Sequence, residues 1–415
     1  MKMLGSNMTM ERKTMQRFSA KEYLKIDVAN SFGLDKKSWA ERIRWFDDNE
    51  KDFGQLIYKA EEPAMFFAGI SAWEAVKKGE PIGYPISLDA TSSGLQILAA
   101  LTGDLSAAKL CNVINTGNRE DAYTNVYKFM INILGEDAKI QREDTKRAIM
   151  TSLYGSRAVP KEVFGEGVLY NLFISTMQLL APAAWELNQT FLDMWNPTAL
   201  ENSWILPDNF HVHVKIVSTM GETVHVFNEP IDTVRKINAP MSEGRSLGAN
   251  TIHSIDGMIV REMTRRCDYN PEIVQEAYRI LVDQPKKPTY PRTDNVKMVE
   301  TLWHNYQYSG FLSARILDYI DEDSVNVIDV RQDVINLLRS LPEIPFQIIA
   351  VHDCFRCLPN HANDMREQYN LQLMLIARSN LLGFLLSQIM GKPIVIGKLH
   401  PDFWKQIMDT DYALS

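Results

Sequence analysis

The sequence predicts an α+β chain that is predominantly helical, and three observations carry that prediction. Apolar side chains recur at helical spacing over most of the 415 residues. Two short apolar runs, Tyr84 to Leu88 and Phe346 to Val351, read as strands, and each runs straight into an acid, Asp89 in the first case and His352-Asp353 in the second. A third stretch, Trp204 to Phe227, alternates polar with apolar residues, setting His211, His213 and Lys215 against their apolar neighbours. With 45% hydrophobic and 23% charged residues the chain can bury a large core, and its length predicts two or three domains.

Taken in order, residues 16 to 80 read as mostly helical, with Ile43, Phe46 and Phe53 on the apolar stripe. The strand Tyr84–Leu88 leads through Asp89 into a Ser/Gly turn, and a helix begins near Ser93. Residues 119 to 155 read as two helices joined around Gly135 and Glu136. The alternating stretch reads as a hairpin turning at Met220 and Gly221. Residues 271 to 341 read as three amphipathic helices, parted by the Pro-rich stretch Gln284–Pro291 and the acidic turn Asp321–Asp323. Phe346–Val351 and Cys354–Leu358 then form a buried hairpin with Asp353 at its tip, and a long helical stretch, Asn363 to Met390, precedes the tail.

Composition narrows the function. A net charge of -8 speaks against a protein that coats nucleic acid, so any such site is a local cleft. The basic clusters at Lys146-Arg147, at Arg261 with Arg265 and Arg266, and at Lys286 to Arg292 each read, taken alone, as solvated faces. The methionine-rich start has no apolar signal core, and the most apolar stretch, Tyr170 to Leu187, is broken by polar residues and Pro182, so no membrane is expected. Four cysteines are too few for a disulfide scaffold and point to free thiols in a reducing cytoplasm.

Two constellations carry chemistry. A carboxylate ending an apolar strand is dehydrated unless a counter-ion meets it, and two such acids side by side, Asp89 and Asp353, repel without a divalent cation between them. Two-metal phosphoryl transfer needs that arrangement; either acid alone equally reads as a cap of a turn or helix. The second constellation is Arg142 to Ser156. Arg142, Lys146, Met150 and Tyr154 are four apart, about 6 Å from one to the next along one helical face. Such a face can span a nucleoside triphosphate, with Arg142 and Lys146 on phosphates and Met150 and Tyr154 on sugar and base. It also reads as an ordinary amphipathic helix. Cys354-Phe-Arg-Cys357 has a zinc-like spacing, but on a strand the thiols face opposite ways and no second pair exists. His211, His213 and His225 are likewise set aside, because a turn at Met220-Gly221 puts His225 on the other face from His213.

These segments resemble, in order, the motifs of the single-subunit DNA-directed RNA polymerases of phages and mitochondria. Asp89-Ala-Thr-Ser-Ser-Gly-Leu-Gln96 is similar to that family's first palm motif, Arg142–Ser156 to its fingers helix, and Val351-His-Asp353 to its second palm motif. Gly33-Leu-Asp-Lys36, Glu41-Arg-Ile43, Ile252-His-Ser-Ile-Asp-Gly257 and the tail Asp411–Ser415 also resemble family segments, leaving only about 265 to 341 unmatched. The resemblance implies a right-hand polymerase fold of palm and fingers, without a complete thumb or N-terminal domain. On that reading residues 1–105 are leading helices and first palm segment. Residues 106–257 are fingers with a β-hairpin near 204–227, which stands where the family has its promoter-reading loop. Residues 258–341 are an inserted helical module, and 342–415 the second palm segment and tail.

It further implies that Asp89 and Asp353 bind two magnesium ions, with the Ala90 carbonyl as a further ligand. Lys36, Arg142 and Lys146 neutralise the triphosphate, and Lys146 protonates the leaving pyrophosphate. Tyr154 checks the sugar and the nascent pair, its hydroxyl in reach of His253. The implied partners are a DNA template, nascent RNA, ribonucleoside triphosphates and a second polypeptide supplying the thumb and N-terminal parts, with room for a promoter-recruiting or single-strand-binding factor, in the cytoplasm of a bacterial host. The interval between His253 and Asp353 is far longer than the family's, and its extra helices could grip the partner, grip nucleic acid or merely pack. Two rivals remain: a DNA polymerase of related fold, against which Ser92, Ser93 and Gly94 stand where those enzymes place a glutamate gate, and a non-catalytic scaffold or template-binding subunit.

Overall fold

Serine caps open the helical region of the computed structural model, which describes residues 14–135 and 138–415. Ser19 and Ser38 each accept from the backbone of a glutamate three residues on, Glu22 and Glu41, whose carboxylates reach back. The helices so started, Ala20–Ala29 and Trp39–Asn49, are followed by Pro63–Lys77 and by the first strand, β1 (Ile86–Asp89). The helix expected near Ser93 spans Ser93–Thr102 and is buried on every side from Gly94 onward, as a helix at the centre of a core is. The expected pair of helices between 119 and 155 is Ala122–Leu134 and Arg142–Leu153; Glu136, half of the expected joint, and the methionine-rich start lie outside the described residues. The Tyr170–Leu187 stretch becomes two helices, Val168–Leu180 and Pro182–Asp193, bent by 115° at the proline. No single helix among the described residues is long and apolar enough to cross a membrane.

The alternating region corrects the expected turn. β2 (Glu201–Ile205) pairs with β3 (His211–Lys215), and β4 (Val217–Val226) pairs with β5 (Glu229–Asn238), so there are two hairpins. Met220 and Gly221 lie within β4, opposite Arg235 and Val234. The chain reverses instead at Phe227 and Asn228, with φ of 52° and 65°, the left-handed pair that a two-residue hairpin turn requires. The Ser246–Cys267 helix follows, then Pro271–Asp283, Asp294–Ser309 and Arg331–Arg339, the three amphipathic helices expected, with 3-10 turns between the last two. Their apolar faces, including Ile280, Val299, Trp303 and Leu337, and Ile316 of an intervening 3-10 turn form a second core separate from the main one.

β6 (Ile349–Val351) and β7 (Cys354–Cys357) complete a three-stranded antiparallel sheet in the order β1-β7-β6. The hairpin is not buried as expected. β6 is an edge strand, and Ile349 and Val351 are 52% and 50% exposed, because period-two alternation turns every second side chain out of the core. The last long helical stretch is broken at Ser379 and Asn380 into Ala362–Arg378 and Leu381–Met390.

Candidate active site

In β1, alternation sends Ile86 and Leu88 into the core and leaves Ser87 and Asp89 on a cleft of about 510 Å³. β7 matches it across the ladder: Phe355 and Cys357 point inward, while Cys354 and Arg356 line the cleft opposite Asp89 and Ser87. Asp353 sits in the two-residue turn before β7, where His352 takes φ of 56°. The turn is tied to β1, since the Ala90 amide donates to the Asp353 carbonyl at 3.1 Å. The two strand-end acids are thus brought together. Burial pushes the Asp89 carboxyl up and the charge of Asp353 adds to that, against a pull from the Cys354 thiol beside it.

The tail closes the other side of β1. Asp89 and Ser415 exchange backbone hydrogen bonds of 3.3 and 2.8 Å, Thr91 donates to the Ala413 carbonyl, and Tyr412 stacks on Trp39 at 5.1 Å.

Lys36, Ala90, Arg142 and Lys146 line the same cleft. Arg142 is already engaged: it pairs with Asp121 at 2.5 Å, donates to Thr124 Oγ1 at 2.7 Å and also pairs with Glu143. Burial alone would raise Asp121, but Thr124 and Arg142 outweigh it and hold its carboxyl below the usual range. Lys146 lies over the Tyr123 ring, 5.9 Å from its centroid, and makes no ion pair among the described residues. Met150 and Tyr154 follow it along the helix, Met150 42% exposed and Tyr154 capping the end. Neither these two nor His253 lines the cleft. Tyr154 instead packs on His253, ring centroids 4.9 Å apart, and its hydroxyl fills the space over Gly94, where a Cβ would come within 2.7 Å of it. Gly94, among the small residues after Asp89, is therefore matched to Tyr154.

Two buried acids, Asp27 in the cleft and Asp256 outside its lining, carry little signal of a role in the sequence. Asp27 is buried, accepts from the Tyr84 hydroxyl and the Ser87 amide at 2.7 Å each, and is pushed up to about 6, chiefly by burial. Its only signal was an acid on the apolar face of a helix. Asp256, one turn after His253, is likewise raised to about 6 by burial and then by Asp353; it stood within a quoted family segment without a role. The basic trio Arg261, Arg265 and Arg266 is corrected from a solvated face to a buried ionic cluster. Asp208 takes Arg261 at 2.7 Å and Arg265 at 3.0 Å, and Glu262 takes Arg265 at 2.9 Å and Arg266 at 3.8 Å. The three histidines are separated for another reason than expected: His225 is on β4, in a different hairpin from His211 and His213 on β3. Cys354 and Cys357 do face opposite ways, Cys354 touching Ser87 Oγ at 2.9 Å.

Acids at and beside the cleft could hold a divalent cation, although Asp353 is not among the cleft's lining residues. Its lining carries six carboxylates, of Asp27, Asp35, Glu61, Glu62, Asp89 and Asp121, against five cations, of Lys36, Arg119, Arg142, Lys146 and Arg356. A polyanion entering it is repelled unless cations enter too. Among the described residues no three His, Cys, Asp or Glu side chains gather as a metal cage. Magnesium does not demand one, since it keeps waters and commonly uses one or two carboxylates together with substrate phosphates. Asp89, Asp353 and the Ala90 carbonyl, which accepts no hydrogen bond from a described residue, fit that pattern.

A family model described as DNA-dependent RNA polymerase matches residues 18–163, which include Asp89 and the Arg142–Leu153 helix. The mitochondrial DNA-directed RNA polymerase of Schizosaccharomyces pombe is 32% identical over 160 residues, 32% of this chain and 14% of that protein. A probable DNA-directed RNA polymerase of Neurospora crassa is 32% identical over 156 residues, 32% of this chain and 17% of that protein. The DNA-directed RNA polymerase of Pseudomonas phage phiKMV is 24% identical over 298 residues, 56% of this chain and 36% of that protein. The chain thus spans between about a seventh and about a third of the length of these relatives. Over the matched segments the chain is similar to DNA-directed RNA polymerases of single-subunit, phage and mitochondrial type.

Proposed function

We propose that the chain is the catalytic subunit of a split RNA polymerase, extending RNA on a DNA template by two-metal nucleotidyl transfer. The observation that carries the reading is that Asp89 lies in a cleft lined by Lys36, Arg142 and Lys146, while the turn holding Asp353, itself outside the lining, is hydrogen-bonded to Ala90 at the end of β1. Asp89, Asp353 and the Ala90 carbonyl would hold two magnesium ions, which when bound acidify the attacking 3′-hydroxyl and steady the leaving pyrophosphate. The chain's own groups do the rest. Lys36 and Lys146, both without an ion-pair partner among the described residues, draw the triphosphate in, and Arg142 joins them by exchanging Asp121 for phosphate. Lys146 gives a proton to the pyrophosphate as it leaves. Tyr154, braced by His253 and Gly94, presents a fixed aromatic face to the pair being formed.

In this reading the three-stranded sheet is the palm and the Arg142–Leu153 helix the fingers of a right-hand polymerase. A second polypeptide supplying thumb and N-terminal parts is the arrangement that the sequence resembles, the larger subunit of the heterodimeric middle-gene polymerase of N-four-type phages. A net charge of -8 supports it, because the basic surface that holds DNA would then be shared with the partner. The test is Asp353→Asn in the assembled enzyme. RNA synthesis should fall at least about 100-fold; undiminished synthesis would favour a scaffold, and a preference for deoxyribonucleotides in primer extension would favour a DNA polymerase.

A further inference from the structure

A second cavity, of about 650 Å³, opens at the root of the β4–β5 hairpin, away from the two acids. It falls within the ~300–1,000 Å³ range of sites for molecules of nucleotide size. Trp195, Lys215, Met241, Gly244, Arg245 and Asn250 line it. The indole is fixed, donating Nε1–H to the Met241 carbonyl at 3.0 Å and lying so close over Gly244 that a Cβ there would sit 2.1 Å from the ring. Lys215 and Arg245 are exposed, and neither has an ion-pair partner among the described residues, although the acid Glu243 also borders the cavity.

The cavity adjoins the machinery of the first site. Arg245 begins the helix that carries His253, and its carbonyl is so near Gly155, at φ of 84°, that a Cβ there would sit 2.9 Å from it. Gly155 follows Tyr154 directly. One rigid aromatic ring flanked by two uncompensated cations is the chemistry that binds single-stranded nucleic acid without regard to sequence, base on ring and phosphates on cations.

We infer that this cavity binds single-stranded nucleic acid next to Tyr154, stacking one base on Trp195 and seating the flanking phosphates on Lys215 and Arg245. The inference rests on the polymerase reading for which strand is held, but binding is measured without catalysis, so the two fail separately.

The experiment uses the full chain and fluorescein-labelled oligodeoxythymidine, its all-ribo uridine counterpart and a duplex, with anisotropy read over a salt series. Lys215→Ala with Arg245→Ala should weaken single-strand binding about tenfold and lower the salt slope by roughly 1.4, about 0.7 for each phosphate no longer neutralised. Trp195→Leu should weaken it by a similar factor with little change in slope. Iodouracil placed in the oligonucleotide should crosslink to Trp195 on irradiation, read by peptide mass spectrometry. Weakening seen on the DNA strand identifies the template and weakening confined to RNA identifies the transcript; either supports the site. Unchanged affinity and slope in the double variant, no single-strand binding by the parent chain, or crosslinks only elsewhere would overturn it. Because Trp195→Leu could disturb the Met241–Gly244 segment, the surface double variant and the crosslink decide.

Discussion

Gly94→Ala is the sharpest probe of the link between the residues after Asp89 and Tyr154. The added methyl group would lie 2.7 Å from the Tyr154 hydroxyl and 3.3 Å from its Cζ, so the hydroxyl must retreat by about 0.7 Å to reach an ordinary separation of 3.4 Å. It cannot do so freely, because its ring is packed on His253. Overpacking of this kind costs about 1–3 kcal/mol, offset by up to about 1 kcal/mol from replacing glycine in a helix, so the melting temperature should move only a few degrees. Function should move more. A group displaced by nearly an ångström from a reacting pair can cost ~100-fold. Single-turnover addition of one ribonucleotide to an RNA primer by the assembled enzyme should therefore slow by roughly 10- to 100-fold. The control is Gly94→Ala with Tyr154→Phe: deleting the oxygen leaves only the 3.3 Å approach, so the pair should show a stability coupling of about 1 kcal/mol in a double-mutant cycle. Normal extension by the single variant, or strict additivity of the pair, would refute the proposed fit between Gly94 and Tyr154.

Two further outcomes concern the buried ionic cluster. Glu262 is wholly buried, accepts from the Ala314 amide at 2.8 Å and from the Ser313 hydroxyl, and faces the buried Arg266. Glu262→Ala strands that guanidinium and should cost about 3–5 kcal/mol in urea denaturation; a loss under about 1 kcal/mol would mean the cluster holds nothing together. Asp208 titrates in acid: burial would raise its carboxyl, but Arg261 and Arg265 outweigh that and hold it below the usual range. Its contribution is therefore complete above the unfolded value near 3.9 and is lost as pH falls through the lower folded value. Thermal melts between pH 6 and 3 should steepen below about pH 4 in the parent and less so in Asp208→Asn; identical profiles would remove Asp208 from the account.

The parts of this molecule legible in sequence were those with a one-sided environment. β1 and β7 each have one face in the core, so their apolar alternation marked both strand and register, and the acids stood at the strand ends. β4 and β5 are exposed on almost every residue, so no burial pattern marked their register. Glycine was then the only punctuation in view, and it misled, because Asn228 can adopt the left-handed turn that Gly221 was assigned. The buried face expected of β6 failed similarly, for an apolar run does not reveal whether its strand is central or at an edge. Electrostatic partners were hidden for another reason. Asp208 lies 53 residues before Arg261, and Asp121 lies 21 before Arg142, so nothing local distinguished paired cations from free ones.

Such pairing also limits how much basic charge is free to meet the nucleic acid proposed above. Counting lysines and arginines overstates the available charge, because Arg261, Arg265 and Arg266 neutralise Asp208 and Glu262, and Arg147 faces Glu162. Among the described residues, cations without an ion-pair partner stand in two places around the site: Lys36, Arg119, Lys146 and Arg356 in the cleft of Asp89, and Lys215 and Arg245 in the cavity beyond Tyr154. The helix Arg142–Leu153 with its Tyr154-Gly155 end lies between them, reaching the cleft through Lys146 and the cavity through Gly155. A strand held in the cavity and a triphosphate held in the cleft would therefore lie along one helix, the triphosphate beside Lys146 and the strand beyond Tyr154. Two contacts join this helix to the one that Arg245 begins: Gly155 against the Arg245 backbone, and the Tyr154 ring against His253. Filling one should then stiffen the other, and oligonucleotide binding should protect the amides of residues 150–156 from hydrogen exchange even with no nucleotide present.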